Sequence, residues 1–392
     1  MTSYALYLHI PFCRQRCSYC DFNTYTGIGE LKEAYAAALA SEIHQVGQLA
    51  GERPAVRTIF FGGGTPSLMS PGQLAGILAA ACEAFAIEPM AEITLEANPG
   101  TVDLEYLAAV RGLGVNRLSY GVQSALPGEL ALLGREHDFA AAVEALALAG
   151  EAGFDNVNID LIYGLPGQSV EDWARTLAAV RSLAAGRLPM THVSLYCLTI
   201  EPGTPLQRRL HNGTISAPDP DIAAEQYELA GRELAELEFG HYEISNWARS
   251  GRECRHNLVY WRNEPYLGLG AGAHGSAGGY RYQIVRRPRT YIHRMEERPP
   301  VGPFPLSAAV VDYHAVDDAE AISDTAITQL RLLDEGLDLD GFARRFGRTF
   351  DEAYGPVVRQ LEEWALLRRE DGRLLLTEKG RFLSNQVFYR FV

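Results

Sequence analysis

The sequence predicts an α/β fold: a partial (β/α)6, TIM-like barrel followed by a C-terminal helical, winged-helix-like module. Three observations carry this. Six short apolar runs alternate with longer amphipathic segments between residues 4 and 240. A Pro/Gly-rich stretch, Arg298-Pro-Pro-Val-Gly-Pro303, then interrupts the pattern. Beyond it, helical periodicity gives way to two apolar runs joined by Asp371-Gly372, a strong hairpin signal.

The six predicted strands are Tyr4–His9, Thr58–Phe61, Glu92–Ala97, Arg117–Val122, Asn156–Ile162 and His192–Ile200. Each is brief, rich in Ile, Leu, Val, Tyr or Phe, and bounded by Gly, Pro or Asn. Helical stripes lie between them: Leu31, Tyr35, Leu39, Ile43 and Val46; Leu74, Ile77, Leu78, Ala81 and Phe85; Trp173, Leu177 and Val180. These read as packing faces. Repeated βα units imply a parallel sheet covered by helices, with a site at the carboxyl ends of the strands. The expected division is a barrel over 1–240, a connecting segment over 241–303 and the winged-helix-like domain over 304–392. Its hairpin is expected at Leu366–Glu370 and Arg373–Thr377.

Composition narrows the class. The 392 residues are 47% hydrophobic and 21% charged, with 35 basic and 49 acidic side chains and a formal charge of −14. That is ordinary for a soluble protein with a large core, and it disfavours nucleic-acid and anionic-membrane binding. Winged helices often bind DNA, but residues 322–392 carry 11 Lys/Arg against 12 Asp/Glu and no basic stripe. A structural or protein-docking role is expected there. No run reaches transmembrane length, and no targeting segment is evident ahead of the first strand. A cytoplasmic protein in a reducing compartment is expected, with self-association into a homodimer left open.

Half of the six cysteines fall in one loop, as Cys13-x3-Cys17-x2-Cys20. A disulfide framework suits small secreted chains instead. Structural zinc commonly pairs C-x2-C with a second such pair, and none follows, although a Cys3His set stays open. Three thiolates can hold a [4Fe–4S] cluster and leave one iron free for a ligand that is not a side chain. Cys82 and Cys197 read as packing. Directly after the second strand comes Gly62-Gly63-Gly64-Thr65-Pro66, where the missing β-carbons permit close approach to a ligand. It matches no nucleotide-binding fingerprint.

Together, Tyr7-x-His9-Ile-Pro-Phe-Cys13-x3-Cys17-x2-Cys20 and Gly62-Gly-Gly-Thr-Pro66 resemble the radical S-adenosylmethionine (SAM) superfamily. The resemblance implies that SAM chelates the open iron and that the glycine turn contacts its methionine amine. Polar residues near the predicted strand ends narrow it: Glu96 in Leu-Glu-Ala-Asn-Pro99, Gln123 in Gly-Val-Gln-Ser124 and Asp160 in Asn-Ile-Asp-Leu-Ile-Tyr-Gly-Leu-Pro166, with Arg135 in Leu-Gly-Arg-Glu-His137. These stretches are similar to the branch containing oxygen-independent coproporphyrinogen III dehydrogenase. The resemblance assigns SAM contacts to Tyr7, Tyr19, Gly63, Gly64, Thr65, Glu96, Gln123, Arg135 and Asp160.

Two departures from that enzyme are visible. It resembles C-x3-C-x2-C-x-C, whereas the last position here is Phe22, and it carries an extension before the first strand. A further run, Cys254-Arg-His256-Asn257-Leu-Val-Tyr260-Trp261, resembles the heme-binding signature of HemW-like heme chaperones, non-enzymatic relatives of the dehydrogenase. That resemblance makes His256 the leading heme contact, with Cys254 and His274 behind it. A hydrogen-bonded core histidine is the competing reading. The implied function is delivery of heme to apo-hemoproteins by a protein that holds a [4Fe–4S] cluster, SAM and heme. The alternative is radical oxidative decarboxylation in porphyrin biosynthesis. A third reading, a nucleic-acid modifier, is disfavoured by the acidic balance.

Overall fold

A computed structural model describes residues 3–186 and 188–392. Its framework is one twelve-stranded sheet. Six strands run parallel and in chain order: β1 (Ser3–Ile10), β2 (Ala55–Gly63), β3 (Ala86–Ala97), β4 (Arg117–Gln123), β5 (Val157–Tyr163) and β6 (Met190–Cys197). These are the six expected from the sequence; β2 and β3 start earlier and β6 ends sooner. The expected helical stripes are largely buried, as Tyr35, Leu39, Leu74, Ile77, Trp173 and Val180 show.

Side-chain alternation sorts the sheet's two faces. On β4 every residue is buried. Leu118, Tyr120 and Val122 pack into the apolar core under the helices, while Ser119, Gly121 and Gln123 line a cavity on the concave side. Helix starts are fixed locally: Ser70 with Gln73, Ser169 with Asp172 and Thr349 with Glu352 each close a capping box.

Residues 241–303, expected as a connecting segment, extend the sheet. Strands β7 (Gly240–Glu243) and β8 (Asn246–Ala248) add antiparallel to β6. Strand β9 (Tyr266–Leu269) pairs parallel to β1, and β10 (His274–Ala277), β11 (Tyr280–Ile284) and β12 (Val310–Ala315) follow antiparallel. The order is β12-β11-β10-β9-β1-β2-β3-β4-β5-β6-β8-β7, an open sheet and not a closed barrel. Because β12 still belongs to this sheet, the change of core falls beyond the Pro-rich stretch that ends at Pro303.

The second core begins at Ile322 and includes Phe342, Phe350, Val358, Leu361, Leu374 and Phe391. Helices over Asp318–Gln329, Leu339–Phe346 and Phe350–Glu363 pack on a small sheet of β13 (Leu337–Asp338), β14 (Leu367–Glu370) and β15 (Arg373–Leu376). Asp371 and Gly372 turn the hairpin with φ of 47° and 75°, the positive pair that a tight two-residue connection requires. No helix among the described residues is long and apolar enough to cross a membrane.

Candidate functional site

The cysteine loop is held by the glycine turn that follows β2. Gly64 donates its N–H to the Ile10 carbonyl at 2.8 Å, and Thr65 donates to Phe12 at 2.8 Å, so the turn continues the β1–β2 ladder as far as Cys13. The turn has no space for side chains. Gly63 has φ of 110°, and a β-carbon there would lie 2.3 Å from the His9 ring. A β-carbon on Gly64 would meet the Phe12 carbonyl oxygen at 2.7 Å. The loop's far side is tied by Cys13 N–H to Tyr25 at 3.0 Å and Ser18 N–H to Leu133 at 2.9 Å.

A chain of donors then links two of the thiols. Thr65 Oγ1 donates to Cys13 Sγ at 3.7 Å and accepts from Asn98 Nδ2 at 3.0 Å. Asn98 Oδ1 accepts from Arg135, whose Nη1 donates to Cys17 Sγ at 3.3 Å. Arg135 also donates to the Gly121 carbonyl, which places its cation against the thiols. Burial pushes the Cys13 and Cys20 thiols up, and the neighbouring cysteines add to this. Like charges crowded in this way favour a bound cation.

A cavity of about 130 Å³ opens beside the loop. Cys13, Cys17, Cys20, Tyr19, Gly63, Gly64 and Thr65 line it from one side; Glu96, Gln123, Arg135 and Asp160 line it from the strand ends. Eleven of the twelve residues predicted for cluster and SAM thus share one space. Gln123 sits at φ of 71°, in a register shift at the end of β4. A non-glycine residue held there carries strain that clusters at functional sites. Asn98 and Gly121, which the sequence did not single out, also line it.

Two carboxylates face each other across this space. Burial, and then the charge of Asp160, push the Glu96 carboxyl up to about 8, partly offset by the Gly63 N–H, which donates to Glu96 Oε2 at 3.0 Å. Asp160 is also raised by burial, against bonds from Asn158 and Ser119. Unpaired buried carboxylates beside bare backbone suit a cationic ligand such as an ammonium or sulfonium group. Among the described residues no group of three or more His, Cys, Asp or Glu is already gathered closely enough to hold a metal ion. The three thiols on one wall, with hydrogen-bond donors to two of them, do fit a thiolate-ligated cluster.

Tyr7, the twelfth residue, lines a second chamber of about 640 Å³ that shares Phe22, Gly63 and Glu96 with the first. Its walls carry Tyr260, Trp261, Tyr266, His274, Ser276, Arg281, Gln283 and Arg286, with Tyr266 paired across the β9–β10 ladder to Ser276. Phe22, on the loop after Cys20, stands 63% exposed between the two spaces.

His256, the heme contact that the resemblance implies, lies in the core. It is 1% exposed, with Nδ1 against Thr58 Oγ1 at 2.8 Å and Nε2 against Tyr260 Oη at 2.8 Å. Its ring packs on Phe60 with centroids 5.0 Å apart. Burial lowers its pKa to about 3, with Arg117 and Arg57 adding to the effect. Both nitrogens are hydrogen-bonded within the core, and the helix Arg255–Trp261 packs on β2 as a plug over the sheet. Glu92 caps that helix, accepting from Arg255 N–H at 3.1 Å and His256 N–H at 3.0 Å. Arg262 then pairs with Glu335 at 2.6 Å, tying the plug to the C-terminal module. Cys254 is 1% exposed behind Glu92, whereas Cys82 and Cys197, expected as packing, are exposed. His274 is exposed on the second chamber.

Comparison with known proteins bears on the fold and the family. The sequence profile of the Radical SAM superfamily matches residues 7–180, and that of the HemN C-terminal domain matches residues 316–383. The chain is 39% identical to a heme chaperone HemW of Mycobacterium tuberculosis, over 98% of this chain and 93% of that protein. It is 35% identical to the Bacillus subtilis heme chaperone HemW, over 98% of each. Among solved structures it resembles the coproporphyrinogen III oxidase HemN of Escherichia coli, with TM-score 0.83 and 25% identity, covering 100% of this chain and 90% of that one. The chain belongs to the HemW family within the radical SAM superfamily.

Proposed function

We propose that this protein is a heme chaperone that holds a [4Fe–4S] cluster on Cys13, Cys17 and Cys20, binds SAM beside it, binds heme, and passes heme to apo-hemoproteins. The observation that carries the reading is the similarity to proteins named heme chaperone over 98% of this chain. Glu96, Asp160 and the Gly63–Gly64 backbone would receive SAM, with Tyr19, Thr65, Gln123, Arg135 and Tyr7 around them. A bound cluster supplies an open iron for SAM. Arg135 and Thr65 hold hydrogen bonds on two of its thiolates, and Glu96 offers a carboxylate to a cationic group. The cytoplasm, where thiols stay reduced, is the compartment this chemistry needs.

A second reading, coproporphyrinogen oxidation, is favoured by the structural likeness to HemN. Phe22 argues against it, because a phenyl ring offers neither the ligand nor the redox chemistry of the thiol expected in that enzyme. The test is anaerobic. The reconstituted protein is given SAM, reductant and coproporphyrinogen, while heme is titrated in parallel by absorbance. Saturable heme uptake without protoporphyrinogen is expected; catalytic formation of protoporphyrinogen would overturn the proposal.

A further inference from the structure

Resting on the chaperone reading, we propose that heme sits in the chamber beside β10 and β11, with His274 as its axial ligand and Arg286 pairing a propionate. The heme-binding run at residues 254–261 then supplies one wall of that chamber and not the iron ligand.

Three histidines lie in or beside this space, and two are committed. His9 meets Tyr7 Oη through Nδ1 and the Asn23 carbonyl through Nε2, each at 3.0 Å. His256 is saturated by Thr58 and Tyr260. Among the described residues, His274 makes no side-chain hydrogen bond, lines the chamber and is exposed to it. Imidazole is a common axial ligand of heme iron, and a free nitrogen is what ligation needs. His274 pairs in register with Gln283 across the β10–β11 ladder, and both line the chamber. Cross-strand neighbours on one face lie roughly 5 Å apart at Cβ. The Gln283 amide is therefore placed to accept from the second imidazole nitrogen, as outer partners of metal-bound histidines do.

The turn that presents His274 is rigid. Gly270 N–H donates to Glu42 Oε2 at 2.8 Å, and Ala271 N–H donates to Tyr35 Oη at 2.8 Å. Glu42 also receives Tyr291 and Ser307 hydroxyls, so this buried carboxylate anchors the turn against the helix Lys32–Ala50.

Charge selects a carboxylate-bearing ligand. Arg281 is already paired with Asp324 and Glu320, and Glu264 with Arg57. Among the described residues, the Arg286 guanidinium makes a single side-chain contact, 3.5 Å from Nε to Asn23 Oδ1, which leaves it available to a propionate. Tyr260, Trp261, Tyr266 and Phe22 supply flat apolar faces for a macrocycle. The volume falls within the roughly 300–1,000 Å³ range of organic-ligand sites.

The test is hemin titration of the cluster-loaded protein, followed by absorbance and electron paramagnetic resonance. His274→Ala should weaken binding at least tenfold and abolish the imidazole-ligated signature. His274→Cys should bind again with a thiolate-type spectrum, and Arg286→Ala should weaken binding severalfold with the spectrum kept. His256→Gln, when folded by circular dichroism, should keep the wild-type spectrum. Unchanged affinity and spectrum in His274→Ala, or loss of the signature in folded His256→Gln alone, would overturn the assignment and leave the chaperone reading standing. Failure of the wild-type protein to take up heme would overturn both.

Discussion

Replacing Glu96 with glutamine separates what this carboxylate costs the fold from what it contributes to the site. Its pKa rises from 4.5 in an open chain to about 8 in the folded protein, through burial and then the charge of Asp160. The folded state therefore keeps the proton across a pH range in which the unfolded state has released it. The stabilisation from this proton is complete below about pH 4.5 and is lost as pH rises toward 8. At 1.36 kcal/mol per pKa unit, the whole shift corresponds to about 5 kcal/mol. Part of the side chain opens onto the cavity, and solvent there screens the charge to leave ~2–3 kcal/mol. Glutamine keeps an oxygen to accept the Gly63 N–H and never ionises. The ligand-free Glu96→Gln protein should therefore match the wild type at pH ~4 and exceed it by ~2–3 kcal/mol at pH ~8.5 in urea unfolding. The same variant should bind SAM about tenfold or more weakly, since one lost charge-assisted contact is worth ~1.5–3 kcal/mol. Parallel pH profiles for the two proteins would show that the Glu96 carboxyl is not raised by the fold.

Three further outcomes follow from the same geometry. Asn98→Ala cuts the chain between Cys13 and Cys17 and removes two hydrogen bonds worth together ~2–4 kcal/mol; the cluster's reduction potential should fall, as Thr65 and Arg135 lose the group that holds them against the sulfurs, while far-UV circular dichroism stays unchanged. Gly63→Ala combines a positive φ with a β-carbon driven into His9, so its cluster content after reconstitution should drop sharply, against little change for Gly76→Ala in an open helical position. His256→Gln leaves Thr58 or Tyr260 without a partner in the core and should cost ~2–4 kcal/mol in unfolding experiments, an effect on stability that a surface heme ligand would not produce.

How much was legible follows from how local each signal is. The six parallel strands were readable because a strand buried on both faces is a short apolar run between turn residues. The Asp371-Gly372 hairpin was readable because its positive φ values select those residue types. Strands β9–β11 were not, since each is only four or five residues long and the set joins the sheet through the pairing of β9 alone with β1. The cluster loop and glycine turn stood out by spacing, whereas Asn98 matters only because folding brings Thr65 and Arg135 to its two ends. The surroundings of His256 were hidden for the same reason. Its motif is local, but the Thr58 hydroxyl that occupies its nitrogen lies 198 residues earlier in the chain. His274 had a weaker motif and the more open position.

Heme transfer to an acceptor is the step that distinguishes a chaperone from an enzyme of porphyrin oxidation. The cluster-loaded, heme-bound protein is mixed anaerobically with a tagged apo-hemoprotein, the two are separated, and heme is measured in each. The account predicts that the acceptor gains heme in step with its loss from the donor, and that coproporphyrinogen supplied with SAM and reductant is left unchanged. Heme that stays with the donor at every acceptor concentration, or protoporphyrinogen made at catalytic turnover, would contradict it.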